Sequence, residues 1–312
     1  MTAATDNAVA SDAAVREAAA TGSLWTRLCR SESARGLALV SPTFLYALML
    51  LVAPILVIVA FSFWTQNYLD IDRTPTLANY REAWTEPLYR VLMLRSLAVS
   101  ATVTLITVLL AYPMAYYLSF HVTSRKAFWL FLITIPFWTS YLLRVFAWKI
   151  ILGYNGAINS SLMELGIIAA PMEFLLYNAN AVVITLAHAW APFAILPIFV
   201  SLEKIDRSLL EAATDLGDGP VRRFLRITLP LSLPGVIAAA LIVFIPTVGD
   251  YVTPRLVGGK DGLMIANMIQ VQFGQANNWP LGAALAVSTM IIVAAASLLF
   301  VVISRYCTSR FR

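Results

Sequence analysis

The segment Glu211–Pro230, EAATDLGDGPVRRFLRITLP, is a long polar interruption between two strongly apolar stretches in the second half of the chain. Residues Arg207 to Leu216 are good helix formers. Gly217 and the Gly-Pro pair that follows it then break this helix, because glycine frees the backbone and proline cannot continue a helix. Helical character resumes over Val221–Ile227, and Pro230 is expected to close the segment. The pattern predicts two short helices, hinged at Gly217 and exposed between membrane spans.

The rest of the chain is too apolar for a soluble domain. Only 12% of its 312 residues are charged and 60% are hydrophobic, whereas ordinary globular chains have about 25% charged residues. Stretches of about 20 apolar residues, enough to cross a hydrocarbon core of roughly 30 Å, recur along the sequence. They predict an all-α integral membrane protein with six spans: Leu37–Phe63, Ser96–Ser119, Phe128–Leu152, Ala179–Leu202, Leu231–Val252 and Leu281–Ser304.

The distribution of basic residues predicts how the chain is oriented, because cytoplasmic loops are enriched in lysine and arginine. Most of the 22 basic residues fall in segments that share one side of the membrane. These are Arg16, Arg27, Arg30, Arg35, Arg125, Lys126, Lys204, Arg207, Arg222, Arg223, Arg226, Arg305, Arg310 and Arg312. Both termini and the loop 203–230 are therefore expected in the cytoplasm.

Three regions follow from this topology: an N-terminal tail over 1–36, a six-helix membrane domain over 37–304, and a C-terminal tail over 305–312. Within the first tail, Ser23–Gly36 suits either a short interfacial helix or a bare linker. Cys29 and Cys307 lie near opposite ends of the chain, so free thiols are expected rather than a disulfide framework.

Asp250 is the sharpest candidate for a functional polar residue at membrane depth. It lies near the predicted outer end of the fifth span, beside Tyr251, and an acid there is costly unless it faces water, a cation or a paired charge. One hypothesis is that Asp250 lines a translocation pathway and binds a substrate ammonium group. The alternative is that it lies just outside the span, or pairs with Arg255 or Arg144.

A second constellation lies in the third predicted span, where Trp138 and Tyr141 precede Arg144. Their aromatic faces are able to hold an alkylammonium group by cation–π attraction, although aromatic residues on membrane helices more often face lipid or pack internally. Arg144 argues against a simple cation tunnel and is expected to pair with an acid or a carbonyl. His188 is expected to be a hydrogen-bonded packing residue rather than a proton relay.

The spacing in the polar loop is specific: Glu-Ala-Ala, three residues, Gly, nine residues, then Ile-x-Leu-Pro. The positions are Glu211, Ala212, Ala213, Gly217, Ile227, Leu229 and Pro230. This spacing resembles the EAA loop of bacterial ABC importer permeases of the type I fold. The resemblance implies that the loop docks into a groove on a cytoplasmic ATPase and couples ATP hydrolysis to transport.

The resemblance extends over most of the chain, which is similar to the spermidine/putrescine-type branch of that family. The residues that share it are Phe137-Trp138-Thr139-Ser140, Asn79-Tyr80, Tyr112-Pro113, Leu256-Val257-Gly258-Gly259 and Asn278-Trp279-Pro280, with Ile150–Gly153 and Asn155-Gly156. It implies an inner-membrane subunit that shares its pathway with a second permease, an ATPase dimer below and a periplasmic solute-binding protein above. The substrate is expected to be a polyamine, or else an amino-acid-derived or other small organic solute.

Catalytic chemistry is not expected in this chain. Gly259-Lys260 is followed by Asp261 and has no phosphate-loop context, so ATP and its Mg²⁺ would be bound by the partner ATPase. The two histidines, His121 and His188, do not form a metal-binding pair, and no serine-nucleophile elbow or nucleic-acid-binding groove is present. An intramembrane enzyme therefore lacks a candidate site. A secondary transporter would leave the loop 203–230 unexplained.

Overall fold

The computed structural model describes residues 32–68, 70–175 and 177–309. The chain divides into two compact units, Met1–Val57 and Ile58–Arg312. Residues 1–31 of the predicted N-terminal tail 1–36, which include Cys29, lie outside the described residues, and so does the side chain of Cys307.

The described part of the first unit is helical. Helix α1 runs over Glu32–Ser62, crosses the boundary between the two units and contains Pro42 and Pro54. It begins five residues before the predicted span, so the end of the expected tail is helix. Its apolar side chains are exposed, with Leu39 at 81%, as expected for a helix in hydrocarbon.

The second unit is almost entirely helical after a small antiparallel hairpin, β1 (Thr65–Asn67) with β2 (Asp70–Asp72). Its helices are α2 (Ala78–Thr85), α3 (Pro87–Phe120), α4 (Lys126–Thr134), α5 (Tyr141–Ile151), α6 (Ala157–Glu164), α7 (Ala179–Glu203), α8 (Arg207–Asp215), α9 (Pro220–Arg223), α10 (Leu229–Val248), α11 (Val252–Val257), α12 (Ile265–Gly274) and α13 (Trp279–Ser309). Single 3₁₀ turns occur at Ile135–Trp138 and Glu173–Leu175, and a π turn at Phe224–Thr228.

Among the described residues, five helices, α1 included, are long and apolar enough to cross a membrane, and α4 with α5 makes a sixth crossing if the bent pair counts as one span. The predicted span over Phe128–Leu152 is therefore broken into two halves, which meet at 86°. Pro136 lies in the 3₁₀ turn, and the Thr139 hydroxyl donates to the Pro136 carbonyl at 2.7 Å. Proline interrupts the backbone hydrogen bonds of a helix, and a hydroxyl side chain that bonds to a nearby backbone carbonyl competes with those that remain.

Several helices extend beyond their predicted ends. Helix α3 starts at Pro87, where proline suits a first helical position, and not at Ser96. Helix α13 continues to Ser309, so the predicted C-terminal tail is helical over most of its length. The connection between the fifth and sixth predicted spans holds α11 and α12, and Ile265 within it is fully buried.

Helices α3, α7 and α10 pack against one another to form the main core. Their contacts combine branched residues such as Val103, Leu186 and Val243 with small residues. A Cβ added at Gly235 on α10 would clash with the Ser201 side chain and with the Pro197 carbonyl on α7. Small residues at such crossings let two membrane helices approach closely.

The polar loop forms the predicted pair of helices, α8 and α9, but the second does not end at Pro230. Helix α9 continues through the π turn into α10, so residues 220–248 are helical without interruption. In the π turn the Leu229 N–H bonds to the Phe224 carbonyl, five residues back. This wider turn accommodates Pro230, which has no N–H of its own.

Candidate functional sites

The first candidate site is the elbow formed by α8, the hinge and α9. Helix α8 begins after Asp206, whose carboxylate accepts from the Ser208 backbone N–H at 3.0 Å. This hydrogen bond holds the pKa of the Asp206 carboxyl below its usual range, because it stabilises the charged form. The helix ends at Asp215, and Gly217, two residues further on, has a φ of +84°. Glycine adopts this left-handed conformation without the steric cost that other residues incur.

Two polar contacts hold the arms of the elbow together. The Arg223 guanidinium donates to the Thr214 hydroxyl at 2.7 Å, and Arg226 lies 3.6 Å from the carboxylate of Asp218. The second arm is also attached to the core, because the Tyr112 hydroxyl on α3 bonds to Ser232 at 2.8 Å and its ring contacts Phe224 edge-on. The elbow is therefore held in place by side-chain contacts between its two arms and with the core.

The sequence-predicted residues of the elbow divide into exposed and buried positions. Glu211 and Ala212 are exposed, whereas Ala213 is buried against its own chain. Ile227, Leu229 and Pro230 are half-buried.

The elbow also exposes large apolar side chains next to its hinge. Leu216 is 88% exposed and Val221 69% exposed, and Leu209 on α8 is exposed as well. An amphipathic helix normally covers such residues with its own chain, so a cluster of this kind next to a hinge indicates a surface for a partner.

The second candidate site surrounds Asp250, which lies in the break between α10 and α11 and not within a helix. The Tyr141 hydroxyl donates to one oxygen of its carboxylate and lies 2.6 Å from the Thr253 hydroxyl. The other carboxylate oxygen accepts from the backbone N–H groups of Val252 and Thr253 at 2.9 and 3.3 Å. Asp250 therefore joins the broken span, through Tyr141, to the start of α11.

Neither arginine considered as a partner of Asp250 pairs with it. Arg255 donates to the Gln270 side chain at 2.8 Å. Arg144 donates to the carbonyls of Ala189 and Thr139, at 3.4 and 3.2 Å. Among the residues that the structure describes, the ion pairs do not involve Asp250. The alternative that a salt bridge neutralises this acid is therefore wrong, and the alternative that Arg144 contacts carbonyls is confirmed.

The bend between α4 and α5 separates the two aromatic residues that the sequence placed together. Tyr141 is half-buried beside Asp250, whereas Trp138 lies in the 3₁₀ turn and is 79% exposed. Tyr251 has an exposed side chain, and its carbonyl accepts from Asn267 at 2.7 Å. His188 accepts from the Trp148 indole N–H at 3.1 Å, which confirms the expected hydrogen bond, but the residue is exposed and not packed in the core.

Sequence reasoning missed Thr253 and Asn267, which complete the surroundings of Asp250. The spacing Asp250-x-x-Thr253 is the available signal, because an acid just before a helix often accepts from the N–H groups of its first turn. Asn267 gave no local signal. Its role depends on the return of α12 toward residue 251.

Comparisons with known proteins agree with this architecture. Residues 37–312 match the family described as "Binding-protein-dependent transport system inner membrane component". The chain belongs to this family. Among its relatives is the spermidine/putrescine transport system permease protein PotB of Haemophilus influenzae, which is 36% identical over 252 residues, 80% of this chain and 87% of the relative. PotB of Escherichia coli K12 is 37% identical over 241 residues, 77% of this chain and 87% of the relative.

A solved structure shows the same fold. A chain of a bacterial alginate ABC transporter, crystallised with an alginate pentasaccharide-bound periplasmic protein, superposes with a TM-score of 0.71 at 16% identity, covering 91% of this permease and 98% of that chain. This protein is thus a multi-pass inner-membrane permease subunit of an ABC importer, with the type I fold. It is a transport subunit and not an enzyme.

Proposed function

We propose that this permease forms half of the transmembrane pathway for a polyamine of the spermidine/putrescine class. We also propose that a separate cytoplasmic ATPase dimer, which binds ATP and Mg²⁺, drives it through the elbow. The identity of 36–37% to relatives named as spermidine/putrescine permeases, over about four fifths of the chain, carries the substrate assignment. An amino-acid-derived solute remains the second candidate, because Arg144 adds a positive charge on the helix that carries Tyr141 and has no ion-pair partner among the described residues.

The geometry of the elbow supports coupling to an ATPase. Glu211, Ala212 and the exposed apolar cluster offer a surface to a partner, while Ala213 anchors α8 to the chain. Ile227, Leu229 and Pro230 lie on the continuous helix that leads into α10, and Gly217 sets the angle between the two arms. A displacement of the elbow by an ATPase would therefore reach α10 directly, and it would reach α7 through the three residues between α7 and α8.

The Asp250 site supports recognition of an ammonium group. Its carboxylate has hydrogen-bond donors but no cationic partner in the described chain, and an acid in such a position is expected to face a cation or a pathway. Tyr141 positions this carboxylate, and Tyr251 and Trp138 provide exposed aromatic faces for cation–π contacts. A second permease subunit would complete the pathway, and a periplasmic binding protein would deliver the solute.

Uptake by the assembled transporter tests this function. The permease is co-expressed with the second permease, ATPase and binding protein encoded beside it, and reconstituted in vesicles containing ATP. We expect uptake of labelled spermidine or putrescine that requires ATP and is blocked by unlabelled polyamine. Uptake blocked by amino acids and not by polyamines would favour the second candidate. Uptake by this subunit without any ATPase would overturn the coupling proposal.

A further inference from the structure

Four helix ends meet around one backbone carbonyl beside the elbow. The Ser119 carbonyl, in the last turn of α3, accepts from the Lys126 ammonium at 3.0 Å and from the Arg207 guanidinium at 3.4 Å. Lys126 is the first residue of α4 and Arg207 the first residue of α8. The same Lys126 ammonium contacts both carboxylate oxygens of Glu203, the last residue of α7, at 2.7 and 3.0 Å.

The charges in this cluster have complementary positions. Carbonyls in the last turn of a helix lie at the negative end of its dipole and favour nearby cations. Two cations meet the end of α3 at the Ser119 carbonyl, and Glu203 balances one of them. Lys126 is the shared member, because its ammonium bonds to both the Ser119 carbonyl at the end of α3 and Glu203 at the end of α7.

This cluster links parts of the molecule that the polypeptide does not link near the elbow. The elbow is connected along the chain to α7 and α10, but not directly to α3 or α4. Helix α4 is the first half of the broken span, and the second half, α5, carries Tyr141, which bonds to Asp250. The cluster is therefore a noncovalent connection from the elbow to the span that carries the candidate pathway site.

We propose that Lys126, with Glu203 and the Ser119 carbonyl, is a positioning residue that transmits movement of the elbow to the broken span. The inference rests on the proposed coupling role of the elbow. When an ATPase displaces α8, the contacts through Arg207 and Glu203 move the ends of α3 and α4 together with it. Without Lys126, the elbow still moves α7, α10 and, through Arg207, the end of α3, but its direct bond to the start of α4 is lost.

The experiment measures coupling and not only activity. The complete transporter in vesicles is assayed for basal ATPase activity, for stimulation by the solute-loaded binding protein, and for solute imported per ATP hydrolysed. The variants are Lys126→Gln, Glu203→Gln, the charge exchange Lys126→Glu with Glu203→Lys, and Lys126→Arg. Lys204→Gln is the matched control, because it removes the same charge near the same helix end and Lys204 forms no ion pair with a described residue.

We expect Lys126→Gln and Glu203→Gln to lower solute imported per ATP by about three- to tenfold, the range typical of residues along a coupling route. Basal ATPase activity should stay near wild type in these two variants. Lys126→Arg and Lys204→Gln should import as much solute per ATP as wild type, and the charge exchange should recover part of the loss. A wild-type ratio in Lys126→Gln, or a charge exchange no better than the single variants, would overturn the inference. The proposed function is tested separately, by measuring whether elbow variants outside this cluster still bind the ATPase.

Discussion

At the scale of single residues, the charge of Asp250 is the feature that most directly predicts a transport phenotype. Asparagine at this position keeps the shape and an oxygen able to accept from the Val252 N–H, but it removes the negative charge. A hydrogen bond to a charged group contributes about 1.5–3 kcal/mol, so we expect Asp250→Asn to lower polyamine uptake at subsaturating solute by roughly ten- to a hundredfold. Labelled-polyamine uptake by the reconstituted transporter measures this effect.

The control for this prediction is Asp261→Asn, which removes an acid that is exposed in the loop between α11 and α12. This control should transport normally, and both variants should assemble with the ATPase. Equal uptake by Asp250→Asn and wild type would exclude Asp250 from the pathway.

The residues around Asp250 show how far a sequence identifies a site. An acid in an apolar stretch is conspicuous, so Asp250 could be found without a structure. Tyr141 could be proposed as an aromatic ligand, but its hydroxyl contact depends on the bend after Trp138. Thr253 and Asn267 are ordinary polar residues in sequence, and only the folded chain brings them to residues 250 and 251.

At the scale of elements, the elbow depends on the left-handed backbone of Gly217. A residue with a Cβ in this conformation costs about 1–2 kcal/mol, although a Cβ there would meet no neighbouring atom. We expect Gly217→Ala to fray the end of α8 and to lower solute-stimulated ATPase activity several-fold. The measurement is ATPase activity of the assembled transporter with and without the loaded binding protein.

Gly219→Ala is the matched control, because Gly219 also lies in open space but has an ordinary φ of −67°. This variant should behave as wild type. Equal activity of the two variants would show that the conformation of the hinge does not matter for coupling.

The crossing of α7 and α10 gives a second prediction at this scale. A methyl group at Gly235 would overlap Ser201 and the Pro197 carbonyl, so the helices must separate. Overpacking of this kind typically costs about 1–3 kcal/mol, and we expect Gly235→Ala to lower the midpoint of thermal unfolding of the purified subunit in detergent. Gly249→Ala is the control, since a Cβ there meets only the Pro246 carbonyl at 3.7 Å. A midpoint for Gly235→Ala no lower than the control would contradict this packing.

The membrane helices were predicted well from the hydropathy of the sequence. The long apolar helices follow from composition alone, and the hinge of the elbow follows from its glycines and proline. The size of the bend in the third span and the continuity through Pro230 could not be predicted, because a proline in sequence does not reveal whether a helix bends, stops or widens by one residue. Pro136 precedes a bend of 86°, whereas Pro230 follows a π turn within a continuous helix.

At the scale of the second unit, the two candidate sites are connected through the packed helices. Helix α10 begins at the elbow and ends just before Asp250. Helix α7 crosses α10 at Gly235 and ends just before the elbow, so any movement of the elbow acts on both central helices. The basic residues on the elbow, which predicted a cytoplasmic location, agree with a partner that hydrolyses ATP on that side.

The exposed apolar cluster of the elbow gives the prediction that tests this arrangement as a whole. Leu216 next to the hinge is 88% exposed, and it would be covered if an ATPase docks there. An aspartate at a covered position would bury a charge without a partner, which costs several kcal/mol. We therefore expect Leu216→Asp to abolish co-purification of the ATPase while leaving membrane insertion and the amount of permease unchanged. Leu165→Asp, at a comparable 72% exposure beyond the end of α6, should retain the ATPase. Retention of the ATPase by Leu216→Asp would mean that the motor binds another surface, and the elbow would then need a different function.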